Sequence, residues 1–155
     1  MSGIYTVPFS GALTVKADLA AIVAHATKQC VLLALSLSQT TRGTDAQEEI
    51  LELIVRSGQT TVGSGGTVPT PVQLDPVGGG AAGFTARTLD TTQASAGTIL
   101  THYRWNWNVR GPFDMILPEP MQIIFGAGRR LTFELNEAPS TSMTFSGFVV
   151  VQEIG

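Results

Sequence analysis

Apolar side chains recur at every second residue along much of this chain, and that period constrains the fold more than any other feature. Successive side chains of a strand point to opposite faces, so a segment with this period is a half-buried β-strand. "CVLLALSLSQTT" places Val31, Leu33, Leu35 and Leu37 on one face, with Ser36 and Ser38 on the other. "RRLTFELNEAP" alternates Leu131, Phe133 and Leu135 with Thr132, Glu134 and Asn136. "IYTVPF" alternates weakly, and Pro8, which has no N–H to donate, assigns it to a sheet edge or to a place outside the sheet. "GFTARTLDTT" and "MTFSGFVVVQEIG" complete the clear cases, with Gly147 expected to mark a bulge that resets the phase. "MQIIFGAGRRLTFEL" reads as a hairpin, two apolar runs around a turn whose glycines supply positive φ.

Two segments read both ways. "TDAQEEILELIVRSG" offers Thr44 or Asp45 as a helix N-cap and Gly58 as a stop, but also Leu51, Leu53 and Val55 at strand spacing. Its β-branched residues and strand neighbours favour a strand over 44–58. "ADLAAIVAHATK" is open to the same two readings and is also taken as a strand.

Seventeen glycines and eight prolines enforce many turns, which favours short strands over long helices. They concentrate in "GQTTVGSGGTVPTPVQLDPVGGGAAG", where periodicity is lost and too few apolar residues remain for a core of its own. This stretch, 58–83, is expected to be a long Gly/Pro-rich loop lying over the domain, since a structureless connection of that length is usually functional or mobile. The 155 residues then form a single domain, 1–155. About eight strands separated by turn-rich connections predict an all-β fold, a jelly-roll β-sandwich.

Charge bounds the partners. Only 14% of residues are charged, against roughly 25% in an average soluble domain, so much neutral surface is free for contact with other protein. The net charge is −3 and no Lys/Arg run occurs, which argues against nucleic acid, whose phosphates demand cationic contacts. No apolar run approaches the ~20 residues that span a bilayer, and "MSGIYTVPFSG" lacks the charged and apolar regions of a signal peptide. Cys30 is the single cysteine, consistent with assembly in a reducing cytosol.

No catalytic pattern emerges, and the chain is expected not to be an enzyme and to need no cofactor or metal. His25, His102 and Cys30 have no metal-ligand spacing. "GAGRRL" lacks the third glycine of a dinucleotide fingerprint, and "GSGG" has no Lys-Ser/Thr behind it. Glu48, Glu49 and Glu119 read as solvated loop charges. In "HYRWNWNV" the alternation sets Tyr103, Trp105, Trp107 and Val109 on one face and His102, Arg104, Asn106 and Asn108 on the other. A base-stacking platform needs cations beside the rings, and here they point away, so the aromatic face is assigned to the core.

The succession "YTVPF", "LSLSQTT" with "TDAQEE", "GSGGTVPTPVQLDP", "GFTARTLDTT", "RWNWNVRGPFDMILPEP" and "QEIG" resembles small structural proteins of tailed bacteriophages, which are similar in turn to jelly-roll capsid decoration (cement) proteins. The likeness runs from Ile4 to Gly155. It implies a virion protein on the outer capsid surface, assembled in the host cytoplasm, binding the major capsid protein and itself as a dimer or trimer. The alternative is a carbohydrate- or receptor-binding module of a head fibre or tail, because jelly rolls also host lectins. From the residues, the candidate partner contacts are Ile4, Tyr5, Val7 and Phe9, on an N-terminal segment (1–10) that either extends as an arm or completes the domain's own sheet.

Overall fold

The alternating segments become strands in the computed structural model, which describes residues 3–41, 48–75 and 80–155. In chain order they are β1 (Gly3–Leu13), β2 (Ala17–Val23), β3 (Gln29–Gln39), β4 (Ile50–Thr61), β5 (Val72–Gln73), β6 (Thr85–Asp90), β7 (Ser95–Asn108), β8 (Phe113–Ile116), β9 (Ile123–Phe125), β10 (Arg130–Leu135) and β11 (Met143–Ile154). Among the described residues the one helical element is a 3-10 turn at Glu119–Met121. Both ambiguous segments contain strands, β2 and β4, while Thr44 and Asp45 lie outside the described residues.

Two antiparallel sheets pack face to face. The first runs β5-β1-β11-β3-β8, with β9 also on β3, and the second runs β6-β2-β10-β4-β7. The pairings β4–β7, β3–β8, β2–β10 and β1–β11 nest inside one another. They describe one long antiparallel ribbon wound around a core, which is the jelly roll. Leu19, Leu35, Leu53, Phe133, Phe145 and Val149 fill the space between the sheets.

Three local expectations are corrected. The register on β3 shifts opposite Val150/Val151, leaving Leu33 as a bulged residue. Beyond that bulge the phase flips, so Leu32 and Cys30 enter the core in place of Leu33 and Val31. Gly147 is not the bulge. It pairs in register with Leu37 and Phe9, and a Cβ there would lie 2.0 Å from the Ser36 carbonyl oxygen, so close backbone approach requires glycine. "MQIIFGAGRRLTFEL" is not a hairpin either. β9 pairs with β3 in the first sheet and β10 with β2 and β4 in the second, so "GAG" carries the chain between sheets. Its turn does use a positive φ, at Gly128, closed by Arg129 N–H donating to Gly126 O at 3.0 Å.

The Gly/Pro-rich stretch is partly ordered against the domain. Its start belongs to β4, β5 adds to the edge of β1, and Ser64 and Thr67 form bridges with Thr92 and Thr88. Gly66 N–H donates to Asp90 Oδ1, tying this strap to β6 at the edge of the second sheet, while Ala94 N–H of the β6–β7 connection donates to Asp18 Oδ2. Thr132 and Glu134, which alternation alone places in solvent, are buried against Gln59 and Arg56 of β4.

Candidate interaction surface

The four residues taken as partner contacts sit on β1, which pairs with β11 along its whole length. Tyr5, Val7 and Phe9 are buried core side chains, and Tyr5 also donates its hydroxyl to Gly80 O at 3.1 Å. Only Ile4 is exposed. The segment therefore completes the domain's own sheet instead of extending as an arm. Pro8 is accommodated because β5 reaches only as far as Thr6, leaving β1 an edge strand there.

The chemistry-bearing residues are spent on structure. The Cys30 thiol is buried, and burial pushes it up to about 12, so it stays protonated and unreactive. His25 accepts a hydrogen bond from Thr27 N–H at its Nδ1 (3.2 Å). His102 Nε2 stands 2.7 Å from Ser57 Oγ, with its proton affinity lowered by burial. No group orients the other ring nitrogen among the described residues, so this pair lacks the third member that makes a nucleophile–base couple. Among the described residues no group of three His, Cys, Asp or Glu is arranged to hold a metal ion.

"HYRWNWNV" behaves as its period requires. Trp107 and Val109 are buried, Tyr103 and Trp105 pack partly buried against the core, and Arg104, Asn106 and Asn108 are exposed. Trp107 Nε1–H donates to Gly111 O at 2.7 Å. Trp105 lies between Tyr103 (ring centroids 5.4 Å) and Phe113 (5.1 Å), so its indole is packed on both sides.

What remains open is the outer face of the first sheet. Register places Val72, Thr6, Val150, Ala34 and Ile116 in one row across five strands. The neighbouring rows add Ile4, Gln152 and Ile124 on one side, and Pro8, Phe148, Ser36 and Asp114 on the other. Ile116 is 82% exposed, Ile124 66% and Val72 51%, values far above those of residues that a monomer needs for its own core. Toward one end the face turns to hydroxyls, with Ser10 and Ser146 joined at 2.9 Å and Ser36 donating to Asp114 Oδ1 at 2.6 Å.

Charge divides the two sheets. Strands of the first contain Asp114 and Glu153, and Glu153 points inward to pair with Lys28 at 2.9 Å. Strands of the second contain Asp18, Glu52, Arg56, Asp90, Arg104 and Glu134 among others. The first sheet thus offers a broad, nearly uncharged surface, and such patches mark sites of protein contact. Val150, Phe148, Ile116 and Ile124 were missed in the sequence because alternation was sought. Their signal is the loss of alternation: "GFVVVQEI" and "QIIF" are apolar at consecutive positions, as strands are when both faces meet other protein.

No protein-family model matches the chain, and no curated protein matches it. Among solved structures, weak similarity is found to viral capsid proteins. For the structure of infectious bursal disease virus Gx strain the identity is 14% and the TM-score 0.21, over 99% of this chain and 42% of that one. For T=1 particles derived from infectious bursal virus the values are 15% and 0.22, over 99% and 40%. The chain spans about two fifths of the length of these proteins.

Proposed function

We propose that this protein is a structural component of a phage virion, decorating and stabilising the capsid by laying the outer face of its first sheet on the major capsid protein. The observation that carries this reading is the row Val72, Thr6, Val150, Ala34 and Ile116, which crosses the whole sheet without a charge. A flat neutral surface gains from apolar burial on contact and desolvates almost no charge. The jelly roll lends rigidity, so little ordering entropy is lost on docking. The role needs no catalytic group or cofactor, and the protein acts at the outer capsid surface as a homo-oligomer, a dimer or trimer. A sugar-binding role is less favoured because Trp105, the natural stacking ring, is packed between Tyr103 and Phe113.

The test is co-sedimentation with empty shells assembled from the major capsid protein of the same phage. Val150→Glu places one charge at the centre of the face with its side chain outward, so the fold survives and binding to shells is lost. Arg104→Ala, on the other sheet, binds as wild type. If Val150→Glu decorates shells at full occupancy, the contact is not on this face.

A further inference from the structure

Four cations stand against a carboxylate: Lys28 with Glu153, Arg56 with Glu134, Arg87 with Asp90 and Arg104 with Glu52, each at 2.8–2.9 Å. Arg129 and Arg130, at the turn into β10, do not. Arg130 Nη1 donates to the carbonyl oxygen of Gln59 at 3.0 Å, and neither guanidinium has a carboxylate partner among the described residues. Two adjacent uncompensated cations in a chain of net charge −3 form a local positive field that an anion relieves.

These arginines border a groove on the outer side of the second sheet. A polar hollow of about 340 Å³ is lined by Gln59, Thr60, Gly128, Arg129 and Arg130. An adjoining hollow of about 330 Å³ is lined by Val23, Val62, Val68, Ala86 and Arg130, so Arg130 stands between a polar and an aliphatic half. In the polar half the Gln59 amide is buried. Its Nε2 is committed to Thr132 Oγ1 at 2.8 Å, while its Oε1 has no donor among the described residues. The site therefore presents two guanidinium groups without a carboxylate partner among the described residues, one of them also held to the Gln59 carbonyl oxygen, with an apolar hollow beside them.

We propose that this groove binds an acidic segment of a protein partner. A side-chain carboxylate is held by Arg129 and Arg130, and a neighbouring aliphatic side chain occupies the Val23–Val62–Val68 hollow. Peptide is favoured over a sugar acid because it brings carboxylate and aliphatic group together, and because no aromatic side chain lines either hollow for a sugar ring to stack on. The groove lies on the sheet opposite the face assigned to the shell, so it stands or falls independently of that assignment.

The test is an NMR titration of the whole chain with three probes: Ac-Val-Glu-Val-NH2, its Gln counterpart Ac-Val-Gln-Val-NH2, and digalacturonate. The Glu peptide is expected to shift the amides of Gly58, Thr60 and Gly128 saturably, and the Gln peptide to bind about tenfold more weakly, the loss of a charge-assisted contact. Arg129→Gln, at an exposed position, should reduce Glu-peptide affinity about as much and leave the Gln peptide unchanged. Val68→Thr should weaken both peptides alike. Equal binding of the two peptides, or unaltered affinity in Arg129→Gln, overturns the proposal. Tighter binding of digalacturonate than of the Glu peptide overturns it in favour of an acidic-glycan site.

Discussion

Asp18 on β2 and Glu134 on β10 are register partners, both buried, and each carboxyl is held above its ordinary titration range. Burial is the first cause, reinforced by the charges of Glu134 and Asp90, and it raises Asp18 to about 8 against the Ala94 N–H that stabilises its ionised form. Burial raises Glu134 too, opposed by Arg56. Held as an acid, Asp18 can donate to Glu134, which gives its buried Oδ1 a partner that it otherwise lacks among the described residues.

Stability should therefore fall as the solution becomes alkaline. Asp18 in the unfolded chain titrates near 3.8, so its folded state binds the proton more tightly. That contribution is complete below about pH 4 and is lost as pH rises through about 8. Asp18→Asn keeps an acceptor for Ala94 N–H and gives Glu134 a permanent donor. Urea midpoints at pH 5, 7 and 9 should decline in the wild type and stay nearly level in Asp18→Asn, with the variant the more stable at pH 9. Parallel declines would place the titrating group elsewhere.

Trp107 and Trp105 should separate in mutation. Trp107 is 4% exposed, packs on Phe145 at 6.1 Å and satisfies its N–H on Gly111 O. Trp107→Ala should cost about 3–5 kcal/mol, enough to threaten folding, and Trp105→Ala less because its ring is only partly buried. Chemical denaturation measures both. Equal losses would mean that the two indoles are equally buried.

Gly147→Ala should be severe for a change of one methyl group. The new Cβ would meet the Ser36 carbonyl oxygen at 2.0 Å and Phe9 Cζ at 2.9 Å, forcing β11 away from β3 at the centre of the first sheet. A loss of about 2 kcal/mol or more in denaturant unfolding is expected. A variant of wild-type stability would show that the strands can separate locally at little cost.

Removing Met1–Ser10 should abolish folding. The deletion takes Tyr5, Val7 and Phe9 from the core and most of the β1 partner from β11. Far-UV circular dichroism of the truncated chain should show no β-sheet signal. A folded truncated protein would mean that the outer ribbon of the jelly roll is dispensable.

The architecture was legible where one face of a strand is buried and the other wet, as where Trp107 and Val109 are buried between exposed Asn106, Asn108 and Arg110. It was illegible where tertiary contacts break that symmetry. Leu33 bulges because β3 must hold register with β11, and no local residue announces it. Glu134 and Thr132 look solvent-facing by period, yet Arg56 and Gln59 close over them from far along the chain. β9 and β10 look like one hairpin because their turn chemistry is that of a hairpin, whereas the winding sends them to different sheets. The proposed interaction surface was hidden for a related reason. The "IYTVPF" segment drew attention as a terminus with aromatic residues, but nesting of β1 against β11 claims those rings for the core.

Cryo-electron microscopy of shells saturated with the protein tests the central claim most directly. The account predicts that Val150, Ala34, Phe148 and Ile116 lie at the contact with the major capsid protein, with the strap and the second sheet turned outward. A map in which the outer face of the first sheet points to solvent, or shells that bear no bound protein, would contradict it.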